Sequence, residues 1–324
     1  MAFATNENIY KVLTALNTWW QAGGAVSPDM LRDYKRFAYT EARERFIDKD
    51  LRRFVVLSGA RRVGKTTIEY QIIDSLLKEG VTPNRILFFP IDQPVLKEAG
   101  IDAVLDVYRE TIYGGDDAYI FFDEIQKEPN WEQALKSLYD LKPRLHIFAT
   151  GSASASLEKG SSESGVGRFS TLKIPTMSFY EYCQMLGLDN GVDLPADFCP
   201  SMLAALSRQE QSAVLLKLSA LQSHLNRYLF VGGFPELALS NKDSRASQII
   251  REDVIDKVLK RDIPEICKVR NTADLERIFL YICHITSDIV SIEAMCKELS
   301  GVSRPTAEDY IRYLVSGNLI YSSL

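Results

Sequence analysis

The sequence has few cysteines and no long apolar run, and both absences narrow the class of protein. Its five cysteines are odd in number and scattered, with no Cys-x-x-Cys pair: Cys183, Cys199, Cys267, Cys283 and Cys296. They indicate reduced thiols in a cytosolic chain, not a zinc site or a disulfide framework. No apolar run approaches the roughly 20 residues of a membrane-spanning helix. The N-terminus lacks the basic and apolar parts of a secretory signal. We therefore expect a cytoplasmic protein without membrane association.

The chain also lacks a strong charge of one sign. Its formal net charge is −5 over 324 residues, of which 46% are hydrophobic and 25% charged. These proportions are typical of a soluble globular protein. The small net charge gives no global attraction to nucleic acid or anionic lipid. The length suits two or three packed modules.

Apolar runs alternate with helical spacing in the middle of the chain. The runs predict strands at residues 54–58, 85–92, 118–124, 145–150 and 170–174. Helical spacing predicts helices at about 65–79, 101–113 and 130–142. Near-continuous apolar strands separated by helices indicate an α/β fold, in which a parallel sheet is covered by helices on both faces.

A phosphate-binding loop follows the first predicted strand. Its glycines allow backbone N–H groups to point at a phosphate, Lys65 supplies positive charge for the β and γ phosphates, and the Thr66 hydroxyl is a ligand for Mg²⁺. The helix that begins there adds its dipole. The residues predicted to bind ATP are Gly59, Ala60, Arg61, Arg62, Val63, Gly64, Lys65, Thr66 and Thr67. Since the backbone does the binding, the side chains of Arg61 and Arg62 are expected to project outward, to a partner or the protein surface.

An acidic pair follows the third predicted strand. Asp123 and Glu124 come directly after Tyr119-Ile-Phe-Phe122. The carboxyl ends of parallel strands form the edge at which ligands bind, so this pair should lie beside the phosphate loop. Asp123 is expected to hold Mg²⁺ through water. Glu124 is expected to orient and polarise the attacking water, which makes hydrolysis of ATP the predicted reaction.

Three further residues are candidates for contact with the transferred phosphate. Thr150 and Ser152 end the fourth predicted strand and could touch the γ-phosphate or the water. Arg168 precedes the fifth strand and could neutralise charge in the transition state, in this subunit or in a neighbour. The alternative for Thr150 and Ser152 is a plain turn without a role in catalysis. The alternative for Arg168 is an arginine at the protein surface. Action of Arg168 in a neighbour would require self-association.

These residues together resemble a known family. The segments that carry the resemblance are the loop at 59–67, Asp123-Glu-Ile-Gln-Lys127 with Asn130-Trp131, Thr150-Gly-Ser152, Gly167-Arg168, Ser178-Phe-Tyr-Glu181 and Gly232-Gly-Phe-Pro-Glu236. They are similar to those of prokaryotic AAA-type ATPases related to the origin-recognition and signal-transduction P-loop ATPases. Members of that group commonly continue into a C-terminal domain with a nuclease-like fold, and we expect that domain to be absent from this chain.

The resemblance implies an architecture and two roles. It implies a sheet with an extra strand between the two motif strands, then a helical lid and a winged helix. It also implies that Glu124 is the catalytic base and that Arg168 is the charge-neutralising residue. The predicted domains are a helical segment at 1–53, the P-loop core at 54–186, a linker and lid at 187–270, and a winged helix at 271–324.

The tail has the order of a winged helix-turn-helix but not its usual charge. Three predicted helices precede a strand at Leu319–Tyr321, where the pattern suggests a truncated module. Residues 271–324 contain four basic and seven acidic side chains. Because phosphate contacts supply most non-specific affinity for DNA, this balance favours a protein-binding or lid role over DNA binding.

The leading hypothesis is therefore Mg²⁺-dependent binding and hydrolysis of ATP, which drives a conformational switch that regulates a partner protein or a DNA transaction. Two alternatives stay open. One is a nucleotide-dependent regulator that binds DNA through the winged helix. The other is a switch that binds ATP or ADP without hydrolysis. A small-molecule kinase is less well supported, since the carboxylate pair favours water as the acceptor.

Overall fold

The structure is a computed structural model, and it describes residues 4–21, 23–48, 50–151, 167–188, 200–240, 242–267, 269–286 and 288–321. The chain forms two compact units. The first combines Met1–Pro175 with Glu252–Leu324, and the second is Thr176–Arg251. Within the described ranges, no helix is long and apolar enough to cross a membrane. The bounds of the four predicted domains stay predictions.

A single parallel sheet organises the first unit. Its strands are β1 (Phe54–Gly59), β2 (Ile86–Pro90), β3 (Tyr119–Asp123), β4 (His146–Gly151) and β5 (Phe169–Ile174). Their order is β2-β3-β4-β1-β5, and every neighbouring pair is parallel. The five predicted strands and the parallel sheet are thus confirmed. So is the extra strand between the two motif strands, because β4 separates β1 from β3.

Helices cover both faces of the sheet. In chain order they are α1 (Asn6–Leu16), α2 (Phe37–Ile47), α3 (Lys65–Lys78), α4 (Pro94–Thr111) and α5 (Trp131–Leu141). Successive side chains of a strand point to opposite faces. Accordingly, Phe121 packs edge-on against Phe46 of α2. The next residue, Phe122, lies in a buried cluster with Leu13 of α1 and Val104 of α4.

The chain between α1 and α2 completes the exposed edge of the sheet. β2 is an edge strand, so its outer backbone groups need partners other than a strand. The amide of Asn17 supplies two: its Nδ2 donates to Phe88 O at 3.0 Å and its Oδ1 accepts from Phe88 N at 2.6 Å. The indole N–H groups of Trp19 and Trp20 both donate to Ile86 O, at 3.0 and 2.8 Å. The two tryptophans lie in a short 3₁₀ turn that follows α1.

The tail of the first unit is helical. Two π-helical stretches, Ile250–Ile255 and Val258–Asp262, lead into α11 (Ile263–Ile266), α12 (Thr272–His284), α13 (Ile292–Glu298) and α14 (Arg304–Ser316). The three predicted helices are thus confirmed. The predicted strand at 319–321 is not formed, because Leu319 and Ile320 instead pack against the buried cluster of these helices. The winged-helix assignment remains a prediction.

The second unit is helical in its described part. Its helices are α6 (Phe179–Met185), α7 (Pro200–Ala205), α8 (Arg208–Val231), α9 (Pro235–Leu239) and α10 (Asp243–Ile249). A capping box of Ser207 and Glu210 starts α8, the longest of them. Arg227 of α8 donates to both carboxylate oxygens of Asp243 at 2.9 Å, which ties α8 to α10.

Candidate functional site

The loop between β1 and α3 has the backbone that a phosphate site requires. Gly59 packs so closely on β5 that a Cβ would lie 2.5 Å from the carbonyl oxygen of Ile174. Gly64, with φ of 96°, turns the chain into α3 through the left-handed region. Arg62 also has a positive φ, 63°. Alternation of left-handed and right-handed residues turns successive N–H groups toward one side, which forms a concave anion site.

Lys65 is folded into this loop. Its Nζ donates to the carbonyl oxygens of Gly59 and Ala60, at 3.0 and 2.8 Å. The side chain is buried, and burial lowers the pKa of its ammonium below the ordinary value. The neighbouring carboxylates of Asp123 and Glu124 oppose this shift. Lys65 therefore lies with the acidic pair in one electrostatic site, as the sequence predicted.

The side chains of Thr66 and Thr150, which belong to separate elements, meet at Asp123. The Thr66 hydroxyl donates to Asp123 Oδ2 at 3.0 Å, and the Thr150 hydroxyl donates to Asp123 Oδ1. Burial raises the pKa of Asp123, while these two hydrogen bonds act in the opposite direction. The sequence predicted each residue separately, and the structure brings all three together at the carboxyl edge of the sheet.

The oxygen atoms at this edge suit Mg²⁺. Mg²⁺ in nucleotide sites is usually held by one or two protein oxygens, with phosphate and water as the remaining ligands. Thr66 and Asp123 supply a hydroxyl and a carboxylate. No group of three or more His, Cys, Asp or Glu that could hold a metal occurs among the residues that the structure describes. The donor set therefore fits a cation that is shared with a nucleotide better than one held by protein alone.

Glu124 lies where β3 ends and the chain turns sharply. Its φ is 56°, in the left-handed region that is unfavourable for a residue with a side chain. Its N–H donates to Thr150 Oγ1 at 3.2 Å, and its carboxylate accepts from the side-chain amide of Gln126. Thr150 thus contacts both members of the acidic pair. Gln126 was not predicted as a site residue, although it lies in the quoted segment 123–127.

Arg61 and Arg62 both pair with acidic residues from the tail of the first unit. Arg61 donates two hydrogen bonds to Asp262, at 2.7 and 2.8 Å. Arg62 donates to Asp253 Oδ2 at 2.7 Å. Arg62 is exposed at the protein surface, as expected, whereas Arg61 is partly buried and held by the buried carboxylate of Asp262, so the expectation is wrong for Arg61 alone. These acids are about 200 positions away along the chain, so no local sequence signal could have identified them.

Arg168 lies at the amino-terminal end of the parallel strands, whereas the phosphate loop follows the carboxyl-terminal end of β1. Its carbonyl oxygen accepts from Phe54 N, at the beginning of β1, and its guanidinium pairs with Asp140 at 3.0 Å. Five residue steps along β1 separate this position from Gly59, roughly 16 Å of strand. Contact of Arg168 with a phosphate in the loop of its own chain is thus contradicted. Action on a neighbouring chain stays a prediction. Ser152 lies outside the described residues.

Comparison with known protein families supports the assignment of a nucleotide site to this part of the chain. The family model described as AAA domain matches residues 51–183. This part of the chain is an AAA-type P-loop ATPase domain. A second model, a domain of unknown function (DUF8612), matches residues 222–323. The AAA domain therefore contains the phosphate loop, the acidic pair and Thr150.

The chain is also similar to curated proteins without an assigned function. Two uncharacterised proteins of Methanocaldococcus jannaschii are 24% identical over 270 residues and 28% identical over 268 residues. The first match covers 82% of this chain and 55% of the relative, and the second covers 79% and 54%. The chain thus spans a little over half the length of these relatives.

Two solved structures are similar to this chain at TM-scores below 0.5. The ORC2 protein of Aeropyrum pernix, in ADPNP and ADP complexes, is 12% identical, with 94% of this chain and 90% of that chain covered and a TM-score of 0.44. The Holliday junction branch migration motor RuvB of Thermotoga maritima is 17% identical, with 97% and 88% covered and a TM-score of 0.36.

Two buried charged residues of the first unit were not predicted. Arg36 donates to the carbonyl oxygens of Val63 and Pro175, at 2.9 and 3.0 Å. It therefore links the phosphate loop to the residue that follows β5. Glu69 lies one helical turn after Lys65 and is fully buried. Neither of its carboxylate oxygens has a hydrogen-bond partner in the described structure, and burial raises its pKa well above the ordinary value. An acidic residue in an amphipathic helix normally lies on the side that faces solvent, so nothing in the sequence indicated that Glu69 is buried.

Proposed function

We propose that this chain binds ATP with Mg²⁺ and hydrolyses it. The observation that carries the proposal is the network at Asp123, which joins the phosphate-loop hydroxyl of Thr66 to Thr150 and, through Thr150, to Glu124. A nucleotide-binding loop alone would support binding. A carboxylate held beside that loop supports activation of water as well.

Each residue has a defined part in this proposal. The backbone N–H groups of residues 59–67 and the ammonium of Lys65 bind the phosphates. Thr66 and Asp123 hold Mg²⁺, which when bound offsets the negative charge of the phosphates. Glu124 accepts the proton of the attacking water. Thr150 orients Asp123 and Glu124 relative to each other through its single hydroxyl.

The proposal is tested by hydrolysis and binding measured on the same variants. Lys65→Ala should weaken binding of a fluorescent ATP analogue, because it removes the cation of the loop. Glu124→Gln should keep that binding and slow hydrolysis by roughly 10²–10⁴-fold, the typical contribution of a general base. Glu128→Gln, which removes the same charge four residues later, is the matched control and should hydrolyse ATP like the parent.

Two results would contradict the proposal. Hydrolysis by Glu124→Gln at the parental rate would remove Glu124 as the base. A parent chain that binds ATP and shows no turnover with Mg²⁺ would leave a nucleotide switch without hydrolysis as the function.

We propose further that hydrolysis moves the tail and so regulates a partner protein. The described arginines of the three tail helices support a protein contact over DNA. Arg277 pairs with Asp274, Arg304 with Glu293 and Glu308, and Arg312 with Asp309. Because an arginine that is paired with an acid offers less charge to a phosphate, the tail is a poor DNA-binding surface. A gel shift with duplex DNA at two salt concentrations tests this: retention at low salt that disappears at high salt would restore the DNA-binding alternative.

A further inference from the structure

Arg61 stands inside the phosphate loop, yet its side chain is held by a residue of the tail. We propose that Asp262 is a positioning residue for the nucleotide site, which acts through Arg61 and makes nucleotide turnover dependent on the tail. This inference rests on the proposed ATPase function and extends it to the regulation of the same site.

The contact between Arg61 and Asp262 is geometrically specific. Arg61 Nε donates to Oδ2 at 2.7 Å and its terminal nitrogen donates to Oδ1 at 2.8 Å. Two parallel hydrogen bonds fix the plane of the guanidinium as well as its position. The Asp262 side chain is 6% exposed and that of Arg61 is 21% exposed. Water therefore screens this pair less than an ion pair at the surface.

The Arg61 guanidinium lies within electrostatic reach of the catalytic groups. The hydrogen bond to Asp262 is the main cause of its raised pKa, and the negative charges of Glu124 and Glu265 raise it further. Its positive charge in turn contributes to the lowered pKa of Lys65. The phosphates of a nucleotide bring negative charge to the same place, and so they compete with Asp262 for this cation.

The segment that carries Asp262 touches the site at two other points. Arg62 pairs with Asp253 at 2.7 Å. Lys127, three residues after Glu124, pairs with Glu265 at 2.8 Å. Residues 253–265 therefore contact both the phosphate loop and the turn that follows the acidic pair. This segment is called the clamp segment below.

The clamp segment is also part of the core of the tail. Val258, Leu259 and Ile263 lie in the buried cluster that includes residues of α12, α13 and α14. Close packing transmits a displacement instead of absorbing it. A change in the position of Arg61 therefore reaches the tail helices through Asp262, and a partner bound to the tail can act on Arg61 in the reverse direction.

Steady-state kinetics of two variants test the positioning role. Asp262→Asn keeps the size of the side chain and removes its charge, and we expect kcat to fall roughly tenfold, the equivalent of one charge-assisted hydrogen bond, while KM changes less than about threefold. Asp253→Asn is the matched control. It makes the same change in the same segment, next to the other loop arginine, and should stay within about twofold of the parent because its pair is more exposed, at 32% and 27%.

A double variant separates action through Arg61 from a general loss of structure. Arg61→Lys keeps the charge and loses the paired geometry. If Asp262 acts through Arg61, the double variant Arg61→Lys, Asp262→Asn loses no more activity than the more damaged single variant. Asp262→Glu should recover part of the lost kcat. Parental kcat in Asp262→Asn, an equal loss in Asp253→Asn, or losses that multiply in the double variant would each overturn the proposal.

Hydrogen exchange provides a readout that does not depend on hydrolysis. In the parent, ATP with Mg²⁺ should change the exchange rates of residues 253–265, and ADP should change them less, because it lacks the γ-phosphate. The same nucleotides should leave these residues unchanged in Asp262→Asn while still protecting the phosphate loop. If the parent binds ATP without turnover, the proposed hydrolysis fails and the exchange measurement still decides the link. Equal responses of the clamp segment in parent and Asp262→Asn would reject it.

Discussion

The hydroxyl of Thr150 donates a hydrogen bond to the carboxylate of Asp123 and accepts one from the backbone N–H of Glu124. One small side chain at the end of β4 thus sets the position of two acidic residues at the end of β3. Thr150 is fully buried, so water cannot replace it in either contact. Contact of Thr150 with the γ-phosphate or the attacking water stays a prediction, and its bonds to the acidic pair give it a second role.

Replacement of Thr150 should therefore impair hydrolysis more than binding. Thr150→Val preserves the shape and removes the hydroxyl, which leaves Asp123 Oδ1 and the N–H of Glu124 without this buried partner, while Asp123 Oδ2 keeps its bond to Thr66. We expect kcat to fall roughly 10–100-fold, with nucleotide affinity within about threefold. Thr150→Ser keeps the hydroxyl and should retain most of the activity. A Thr150→Val enzyme with parental kcat would show that the acidic pair holds its position unaided.

Glu69 should make the stability of the protein pH-dependent. Its pKa in the folded protein lies well above the ordinary 4.5, so the native state holds this proton more tightly than the unfolded chain does. The stabilising contribution is complete below the unfolded pKa and is lost as the pH rises toward the native pKa. Glu69→Gln removes the buried charge and should raise the free energy of unfolding by about 1–3 kcal/mol at about pH 8, with a smaller gain near pH 5.

Urea denaturation of the parent and Glu69→Gln at the two pH values measures this difference. Glu98→Gln, an exposed carboxylate on α4, is the control and should follow the parent at both. A gain in Glu69→Gln that is the same at both pH values would mean that Glu69 keeps one protonation state throughout the range.

Asn17 should contribute more to stability than a polar residue at a helix end usually does. Asn17→Ala leaves the N–H and carbonyl of Phe88 without their partner, and loss of two buried hydrogen bonds should cost about 2–4 kcal/mol. Thr14→Ala on the exposed side of α1 removes one local contact, from the Thr14 hydroxyl to Tyr10 O, and should cost less than about 0.5 kcal/mol. Chemical denaturation of both variants decides; equal costs would mean that the edge of β2 finds other partners.

Arg168 should be dispensable for nucleotide binding within one chain. Because it pairs with Asp140 at the amino edge of the sheet, Arg168→Ala should bind a fluorescent ATP analogue within about twofold of the parent, and Asp140→Asn should do the same. Titrations at dilute protein concentration measure this. A tenfold loss in Arg168→Ala alone would place its guanidinium in the site of its own chain.

The sequence was sufficient for features whose determinants are local. The strands follow from apolar runs such as Phe54–Leu57, which are buried on both faces. The phosphate loop follows from glycine, lysine and threonine at fixed spacing, and the acidic pair from its place after β3. Each of these requires knowledge of only a few consecutive residues.

Features that depend on distant residues could not be predicted in the same way. Arg61 and Asp262 are 201 positions apart, and nothing near either residue identifies the other. The prediction that Arg168 could reach the phosphate of its own chain failed for a different reason. A residue that precedes a parallel strand lies at the amino edge of the sheet, away from the ligand edge, so its place before β5 already argued against contact with its own phosphate loop.

The covering of the outer side of β2 by residues 17–20 determines where a shortened version of the chain can begin. The match to the AAA domain begins at residue 51, and a shortened chain would naturally start there. Such a chain would lack Asn17, Trp19 and Trp20, and it would present the backbone of Ile86 and Phe88 to other molecules. An uncovered apolar strand at the edge of a sheet is a template for intermolecular pairing. Shortened versions should therefore begin before Asn6, because versions that begin at residue 51 would aggregate.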